Sequence, residues 1–247
     1  MSEIQQVAVI TGAGSGIGEA TAKRFAKSGH AVLVVDINAD AASRVATEIT
    51  DAGGTADFTA FDVRSAAGWK EAVEKAVSAW GRVDVLYNNA GIFQDSRVSK
   101  MTEEQWDAVV DISLKGAFLG AREVFPIMSD QKFGRLIATS STALQGIFGQ
   151  ANYSAAKGGL VSMTKSLALE GARYGITANA VAPGSINTPL MLSMSEEHLE
   201  KYKAEIPMQR FGDPDEVAAV VEFLSSREAA YVTGQLIYVC GGASFGG

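Results

Sequence analysis

The chain has 247 residues, enough for one large domain with a substantial buried core. Hydrophobic residues make up 47% of the chain and charged residues 20%, a balance that excludes an intrinsically disordered protein. Its 21 basic and 28 acidic residues give a net charge of −7, and the basic residues are scattered along the chain. This composition argues against nucleic acid and against an anionic membrane as partners.

Cysteine and histidine are too few for disulfide or zinc chemistry. The single cysteine, Cys240, follows an apolar run and is interpreted as a small core residue of a cytoplasmic protein. One Cys and two His argue against a zinc site, and we expect no metal. The polar start of the chain predicts no signal peptide, and the absence of about 18 consecutive apolar residues predicts no membrane span.

Short apolar, β-branched runs alternate with longer segments of helical periodicity. The predicted strands are Val7–Ile10, Ala31–Val35, Ala56–Phe61, Val83–Tyr87, Arg135–Thr139, Ile176–Val181 and Gln235–Val239. The predicted helices are Gly16–Lys27, Ala39–Ala52, Ala66–Trp80, Thr102–Met128, Asn152–Tyr174 and Pro214–Ser225. Most of the strands are apolar throughout, as expected for strands that are covered on both faces.

This alternation predicts an α/β fold with a parallel sheet. A (β/α)₈ barrel and an open doubly wound sheet both fit the rhythm, and seven strands rather than eight favour the open (Rossmann) sheet with helices on both faces. We therefore expect a single dinucleotide-binding and catalytic domain over residues 1–247. Residues 185–212, which include Met191, Leu192, Met194 and a cap-like Ser195, interrupt the alternation and are predicted to form a substrate lid.

The first strand runs into a glycine-rich turn, Thr11-Gly-Ala-Gly-Ser-Gly-Ile-Gly18, and then into a helix. Glycines permit positive φ and close approach of backbone N–H groups to a ligand, and the helix N-terminus favours a pyrophosphate. The spacing is G-x-x-x-G-x-G rather than G-x-G-x-x-G, so a purely steric role in a tight turn stays open.

Asp36 strengthens the nucleotide interpretation. It ends the second strand, where a carboxylate accepts hydrogen bonds from an adenosine ribose and repels a 2′-phosphate. The sequence therefore predicts NAD rather than NADP as cofactor. The alternative is that Asp36 is an ordinary helix N-cap.

Tyr153 and Lys157 are spaced to share one face of a helix. The ammonium is expected to favour the phenolate and lower the phenol pKa, which makes Tyr153 a usable general acid or base. Ser140 or Ser141, just after an apolar strand, is available to bind the reacting oxygen. Taken alone, a Y-x-x-x-K pair is also typical of a solvated helix face.

With these motifs in order, the chain resembles the short-chain dehydrogenase/reductase family over essentially its whole length. The motifs that carry the resemblance are the glycine-rich turn, Asp62-Val63, Asn88-Asn-Ala-Gly91, Ser141, Tyr153-Ser-Ala-Ala-Lys157 and Pro183-Gly184. The catalytic residues that it implies are Ser141, Tyr153 and Lys157, to which we add Ser113. The implied cofactor site comprises Gly12, Ser15, Gly16, Ile17, Gly18, Asp36, Ile37, Asp62, Val63, Asn89, Ala90, Gly91, Tyr153, Lys157, Pro183, Gly184, Ile186 and Thr188.

Two positions depart from the family pattern. Ser113 stands where the family has a helix asparagine that is thought to hold a water beside the active-site lysine, and Ser113 is expected either to retain this proton relay or only to fill space. The spacing from the serine to Tyr153 is one residue short, so counting from Gly134 selects Ser141 and counting from Tyr153 selects Ser140. Ser141 is preferred, because a deletion is easier in the Gly146–Gly149 loop than in a buried strand.

The leading prediction is an NAD-dependent oxidoreductase that interconverts a secondary alcohol and a ketone. The candidate substrate pocket is mostly apolar and suggests an apolar or cyclic substrate: Ile92, Phe93, Gln94, Leu144, Phe148, Met191, Leu192 and Met194. The alternatives are a 3-oxoacyl-carrier-protein reductase and a nucleotide-binding relative without redox chemistry. The resemblance also implies a homotetramer, with small residues at Gly116, Gly120, Ala155, Gly158, Gly159 and Ser162 expected on outward helix faces.

Overall fold

A single parallel sheet organises the computed structural model, which describes residues 5–192 and 196–244. Its strands are β1 Val7–Thr11, β2 Ala31–Asp36, β3 Thr55–Ala60, β4 Val85–Asn88, β5 Gly134–Thr139, β6 Ile176–Pro183 and β7 Leu236–Val239. Their order in the sheet is β3-β2-β1-β4-β5-β6-β7, and every neighbouring pair is parallel. The predicted seven-stranded doubly wound sheet is confirmed, with strand ends that differ by one or two residues.

Helices cover both faces of this sheet. They are α1 Gly16–Lys27, α2 Ala39–Asp51, α3 Ala66–Trp80, α4 Glu103–Val110, α5 Gly116–Gln131, α6 Ala151–Gly171, α7 Pro189–Leu192, α8 Glu196–Ala204 and α9 Pro214–Ser225. Apolar residues of α1, α2 and α9 pack on one face, and those of α3, α5 and α6 pack on the other. Alternate β1 residues point into the two layers: Val7 and Val9 into one, Ala8 and Ile10 into the other. This explains why the central strands are apolar throughout.

Local capping signals fix the helix starts. The Asn38 side chain accepts a hydrogen bond from the Ala41 N–H at the start of α2, and Ser65 accepts one from Gly68 at the start of α3. Reciprocal capping boxes begin α4 at Thr102 and α9 at Asp213. The boundaries of these helices therefore follow from side chains that the sequence displays.

The predicted helix Thr102–Met128 is one continuous helical run, but it contains a change of helix type and ends three residues later, at Gln131. It consists of α4, a π-helical turn at Asp111–Lys115 and α5. A π turn inserts one extra residue into a helix without breaking it, so an apolar periodicity read from sequence still resembles one long helix. Likewise, the predicted helix Asn152–Tyr174 ends as α6 at Gly171, followed by a short 3₁₀ turn at Ala172–Tyr174.

The expectation that Gly116 and Gly120 face outward is also wrong. Both glycines are buried. A Cβ on Gly116 would lie 2.9 Å from Cγ2 of Val63, and a Cβ on Gly120 would lie 2.5 Å from Cη2 of Trp69. These glycines let α5 approach α3 and the loop before it, so their small size serves packing within the chain.

The remaining small residues lie on α6. Gly159 packs against the Leu114 side chain, while a Cβ on Gly158 would meet open space. Ala155 and Ser162 are exposed, as expected. No helix within the described residues is sufficiently long and apolar to cross a bilayer.

The Gly120 contact predicts coupling between two buried positions. Gly120→Ala should lower the free energy of unfolding by about 1–3 kcal/mol, because Trp69 is only 1% exposed and its ring has little room to move. Trp69→Phe should also destabilise, since it loses volume and the hydrogen bond from Nε1 to the Val63 carbonyl. The double variant should be less destabilised than the two single losses combined, because the phenyl ring lacks the indole atoms that the new methyl meets. Urea unfolding of the four proteins measures this coupling, and strict additivity would contradict it.

Candidate active site

A cleft of about 370 Å³ opens at the carboxyl ends of the strands, beside the point where the strand order reverses between β1 and β4. The predicted cofactor residues that line it are Gly12, Ser15, Gly16, Ile17, Asp36, Ile37, Asp62, Val63, Asn89, Ala90, Gly91 and Thr188. Phe61, Ile112 and Pro189 line it too, although none of them belongs to a motif in the sequence. Each of the three is adjacent in the sequence to a predicted site residue. This adjacency is the one sequence feature that could have predicted their place in the cleft.

The glycine-rich turn has the backbone geometry that its sequence predicts. Gly12 and Gly16 adopt φ values of +61° and +54°, which side chains with a Cβ rarely adopt. A Cβ on Gly18 would lie 2.1 Å from the Gly12 carbonyl oxygen, so this glycine allows α1 to pack on the turn. Ser15, the N-cap of α1, makes no side-chain cap hydrogen bond. The turn leads into the N-terminus of α1, whose first N–H groups have no intrahelical partner and fit a pyrophosphate; the turn and this helix start are called the phosphate cradle below.

Asp36 contacts the middle of this turn. Its Oδ2 accepts a hydrogen bond from the Gly14 N–H at 2.9 Å, and its Oδ1 accepts one from the Asn38 N–H at 3.0 Å. Because Asn38 caps α2, Asp36 is not the N-cap of that helix. The Arg44 guanidinium donates to the Gly14 carbonyl at 2.9 Å. The carboxylate and the guanidinium together fix the turn, and the carboxylate borders the cleft.

Polar side chains connect this turn to the neighbouring strands. The Asn89 amide donates to the carbonyls of Thr11 and Gly12 at 3.1 and 3.2 Å. The Thr11 hydroxyl accepts hydrogen bonds from the backbone N–H groups of Asn89 and Ala90. On its other side, Asn89 Oδ1 accepts a hydrogen bond from the Thr139 hydroxyl at 3.2 Å. The ends of β1, β4 and β5 are thus held together at the floor of the site.

Tyr153 and Lys157 lie on α6, one turn apart, as predicted. The Lys157 Nζ is 5.4 Å from the centre of the Tyr153 ring and donates a 2.7 Å hydrogen bond to the Thr139 carbonyl. Burial lowers the pKa of Lys157 to about 8. At neutral pH this amine therefore remains mostly protonated, inside the chain and beside the phenol.

The expected lowering of the Tyr153 pKa is wrong for this geometry. Burial raises the pKa of the phenol above its ordinary value, and the charge of Asp95 raises it further. A hydrogen bond with the Ser141 hydroxyl acts in the opposite direction. The buried site penalises the phenolate by more than that hydrogen bond stabilises it.

The structure separates the two candidate serines. The Ser140 hydroxyl is buried and donates to the Lys157 carbonyl at 2.9 Å. Ser141 instead forms the hydrogen bond with the Tyr153 side chain, and its Oγ accepts the Ala143 N–H at 3.2 Å. The geometry thus places Ser141, as preferred from the sequence, beside the phenol.

Ser113 lies in the π-helical turn and is only 2% exposed. Within the described part of the chain, its Oγ has no hydrogen-bond partner. Both Ser113 Oγ and Lys157 Nζ lie 3.2 Å from the position that a Cβ on Gly91 would occupy. The absence of a side chain at Gly91 therefore leaves a small polar space between the hydroxyl and the ammonium.

Six predicted cofactor residues do not line this cleft: Gly18, Tyr153, Lys157, Pro183, Gly184 and Ile186. A Cβ on Gly184 would lie 2.9 Å from the Cys240 Cβ, so Pro183-Gly184 passes close to the chain after β7. Ile186 is 5% exposed, packs in the core with Val217 and borders a different cavity of about 350 Å³. Thr188 does approach the glycine-rich turn, with its Cγ2 3.3 Å from the position of a Gly16 Cβ.

The candidate substrate residues surround the mouth of the site only in part. The Phe93 ring lies edge-on to Tyr153 at 6.1 Å, and Phe148 is 81% exposed with the Arg97 guanidinium over its ring. Ile92 lines the cofactor cleft rather than a separate pocket. Leu144 and Met191 are half-buried, and Gln94 contributes its backbone carbonyl to a hydrogen bond from Asn152. Met194 lies outside the described residues, as does Ser195.

Comparisons with known proteins agree with this geometry. A family profile described as enoyl-(acyl carrier protein) reductase matches residues 12–244. The chain is 44% identical to the 3-oxoacyl-[acyl-carrier-protein] reductase of Thermotoga maritima, over 96% of this chain and 97% of the relative. It is 41% identical to the acetoacetyl-CoA reductase of Acinetobacter sp., over 98% of both chains.

The chain belongs to the short-chain dehydrogenase/reductase family. A crystal structure of levodione reductase superposes with a TM-score of 0.92 at 35% identity, covering 96% of each chain. The chain is accordingly an oxidoreductase that acts on CH–OH and C=O groups, in a family that uses NAD or NADP.

The position of Ser113 predicts that its hydroxyl takes part in catalysis. Ser113→Val removes the hydroxyl at similar volume, so turnover should fall and its pH profile should shift if Ser113 and a water link Lys157 to solvent. Ser113→Asn, which restores the residue that the family usually has, should be nearly silent. Steady-state rates across pH measure both variants. A Val variant that keeps both its rate and its pH profile would show that the side chain only fills space.

Proposed function

We propose that the chain is an NAD(H)-dependent dehydrogenase/reductase that interconverts an apolar or cyclic ketone and the corresponding secondary alcohol. The observation that carries the proposal is the grouping of Ser141, Tyr153 and Lys157 next to Gly91, which lines the same cleft as Asp36. Proton transfer and nucleotide binding are thereby assigned to adjacent parts of one site.

The cofactor fits the residues present. Gly12, Ser15, Gly16 and Ile17 line the cleft where the turn meets the N-terminus of α1, a place that favours a pyrophosphate. Asp36 lines the same cleft, where its carboxylate would bind the adenosine ribose. Asp62 and Val63 are assigned to the adenine, and Lys157 to the nicotinamide ribose. NADH, when bound, supplies the hydride for carbonyl reduction. Pro183, Gly184 and Ile186 remain candidates for the nicotinamide end.

Each catalytic side chain has a distinct role in this proposal. The Tyr153 hydroxyl gives a proton to the substrate oxygen during reduction and takes it back during oxidation. The Ser141 hydroxyl, which is already hydrogen-bonded to Tyr153, orients that oxygen. The Lys157 ammonium stabilises negative charge that develops on the phenol, and Ser113 connects the ammonium to solvent. Burial of the phenol keeps it protonated and ready to act as an acid in the reductive direction.

The mouth of the site favours an apolar substrate. Phe93 and Phe148 present aromatic surface there, and both remain partly or largely exposed. A levodione reductase shares the fold, and a relative from Thauera aromatica, 39% identical over 97% of this chain, is named as a (2S)-[(R)-hydroxy(phenyl)methyl]succinyl-CoA dehydrogenase subunit. Cyclic and aromatic carbonyl compounds are therefore the first substrates to test. Residues 185–212 are proposed to close over them as a lid.

A second candidate function is 3-oxoacyl-carrier-protein reductase, which the 44% identity to the Thermotoga maritima enzyme favours. Asp36 opposes it, because relatives of that kind use NADPH and a carboxylate repels the 2′-phosphate. A nucleotide-binding role without redox chemistry is disfavoured by the intact Ser141, Tyr153 and Lys157.

We also propose a cytoplasmic homotetramer. Exposed apolar side chains on α5 and α6 support association: Phe118 is 46% exposed and Leu169 is 82% exposed. The open space at Gly158 and the exposed Ala155 would allow another copy to approach α6 closely.

The proposal predicts a preference for NADH that depends on Asp36. NADH should bind at least about tenfold more tightly than NADPH, equivalent to roughly 1.4 kcal/mol. Asp36→Asn removes the charge but keeps the shape, so it should raise NADPH affinity. The ratio of the NADPH Kd to the NADH Kd should therefore fall. Asp62→Asn is a matched control: it neutralises a carboxylate of the same cleft that pairs with Arg64, and it should leave the ratio unchanged. Fluorescence titration of both nucleotides measures the affinities.

The same proteins should be assayed for NADH oxidation with cyclic and aromatic ketones and with acetoacetyl-CoA. Faster turnover of the cyclic ketones with NADH is the expected result. Equal nucleotide affinities, together with faster turnover of acetoacetyl-CoA, would favour the carrier-protein reductase instead. No nucleotide oxidation with any ketone would favour the role without redox chemistry.

A further inference from the structure

Residues 94–96, in the segment after β4, form successive hydrogen bonds with the residues at the start of α6. The Ser96 N–H donates to the Gly149 carbonyl at 2.8 Å, and the Gln150 amide donates to the Asp95 carboxylate at 2.8 Å. These contacts lie near the surface. The next contact along α6, made by Asn152, is buried and joins this segment to the helix that carries Tyr153.

Asn152 is fully buried, with 0% exposure, and both the nitrogen and the oxygen of its side-chain amide form hydrogen bonds. Its Nδ2 donates to the backbone carbonyls of Gln94 and Gln105 at 3.1 and 3.0 Å. Its Oδ1 accepts the Tyr153 N–H at 2.8 Å. Asparagine supplies both the two donors and the one acceptor at this side-chain length. Aspartate lacks the donors, and alanine would remove the donors to both carbonyls and the acceptor of the N–H.

The start of α6 needs this contact because it has no other side-chain cap. Gln150, at the N-cap position, makes no side-chain cap hydrogen bond. The N–H groups in the first turn of a helix have no intrahelical partner, and the Tyr153 N–H is one of them. Asn152 pairs this group and thereby fixes the backbone of the residue that bears the phenol.

The two carbonyls that Asn152 binds belong to different elements around the phenol. Gln94 follows Phe93, whose ring lies edge-on to the Tyr153 ring at an interplanar angle of 83°. Gln105 lies in α4, which continues into the π-helical turn that carries Ser113. One amide therefore connects the Phe93 segment and α4 to the first turn of α6.

We propose that Asn152 is a positioning residue for the reaction: by tying α6 to the Gln94 and Gln105 carbonyls, it holds the Tyr153 phenol edge-on to Phe93 and beside Ser141. The inference rests on the proposed role of Tyr153 as the proton donor. Asn152 acts through Tyr153 and does not itself contact the reacting atoms.

A matched control exists in β6. Asn179 is 1% exposed, its Nδ2 donates to the Val232 carbonyl at 2.8 Å and its Oδ1 accepts the Gln235 N–H at 3.0 Å. It therefore makes the same kind of buried hydrogen bonds away from the phenol. Asn152→Ser and Asn179→Ser should both destabilise the fold, which thermal unfolding records. Only Asn152→Ser should lower kcat, by at least about tenfold, with the NADH Kd within about twofold of wild type.

A second readout follows the phenol itself without any substrate. Tyr153 is faced by Lys157 on its own helix, by Asp95 on the Phe93 segment and by the Ser141 hydroxyl after β5. Burial is the largest cause of its raised pKa, so loosening the Phe93 segment should admit water and lower that pKa toward its ordinary value. The ring-carbon NMR signal of ¹³C-labelled tyrosine, assigned with Tyr153→Phe, measures the titration. Asn179→Ser should leave it unchanged.

These two measurements separate the inference from the proposed function. A lowered Tyr153 pKa in Asn152→Ser, with no ketone turned over by the wild type, would support the positioning role and reject the proposed reaction. Unchanged kcat and unchanged titration in a folded Asn152→Ser variant would overturn the positioning role. If that variant does not fold, Asn152→Ala, which removes both donors and the acceptor without adding a charge and suits a helix, takes its place with the same expected outcomes.

Discussion

The site depends on the burial of one ammonium group. Lys157 is 3% exposed, and its Nζ donates a hydrogen bond to the Thr139 carbonyl. A buried cation is costly unless polar groups compensate it, and here the compensation comes from the last residue of β5. The Ser140 hydroxyl returns a hydrogen bond to the Lys157 carbonyl, so helix and strand end hold each other reciprocally. The position of Tyr153, one turn earlier on α6, follows from that attachment.

The same strand end connects the proton-transfer groups to the nucleotide cleft. The Thr139 hydroxyl donates to Asn89, and the Asn89 amide holds the carbonyls at the start of the glycine-rich turn. A continuous series of short polar contacts therefore runs from the lysine to the phosphate cradle across β5, β4 and β1. Each contact lies at the carboxyl edge of the sheet, where parallel strands leave backbone groups unpaired. The parallel topology thus provides both the cleft and the hydrogen-bonding groups that rigidify its floor.

The sequence predicted those features that are encoded locally. Apolar strand runs, the glycines with positive φ at positions 12 and 16, and the spacing of Tyr153 and Lys157 all act within a few residues, and the structure has them as expected. Features set by contacts between distant segments were missed or misjudged. Gly120 faces Trp69 rather than outward, and the phenol pKa rises because burial, which no motif displays, outweighs the hydrogen bond from Ser141. The role of Asn152 was not predicted, because its hydrogen-bond partners are backbone groups, which every residue has and no sequence motif marks.

The account rests most directly on the Tyr153 hydroxyl as the proton donor. Tyr153→Phe removes only that hydroxyl, and Tyr174→Phe, in the 3₁₀ turn after α6, removes one outside the site and serves as control. Single-turnover reduction of the best ketone by pre-bound NADH should slow by about 10² or more in Tyr153→Phe, with thermal unfolding and NADH affinity unchanged, while Tyr174→Phe matches the wild type. A Tyr153→Phe protein that reduces the ketone at near the wild-type rate would contradict the account.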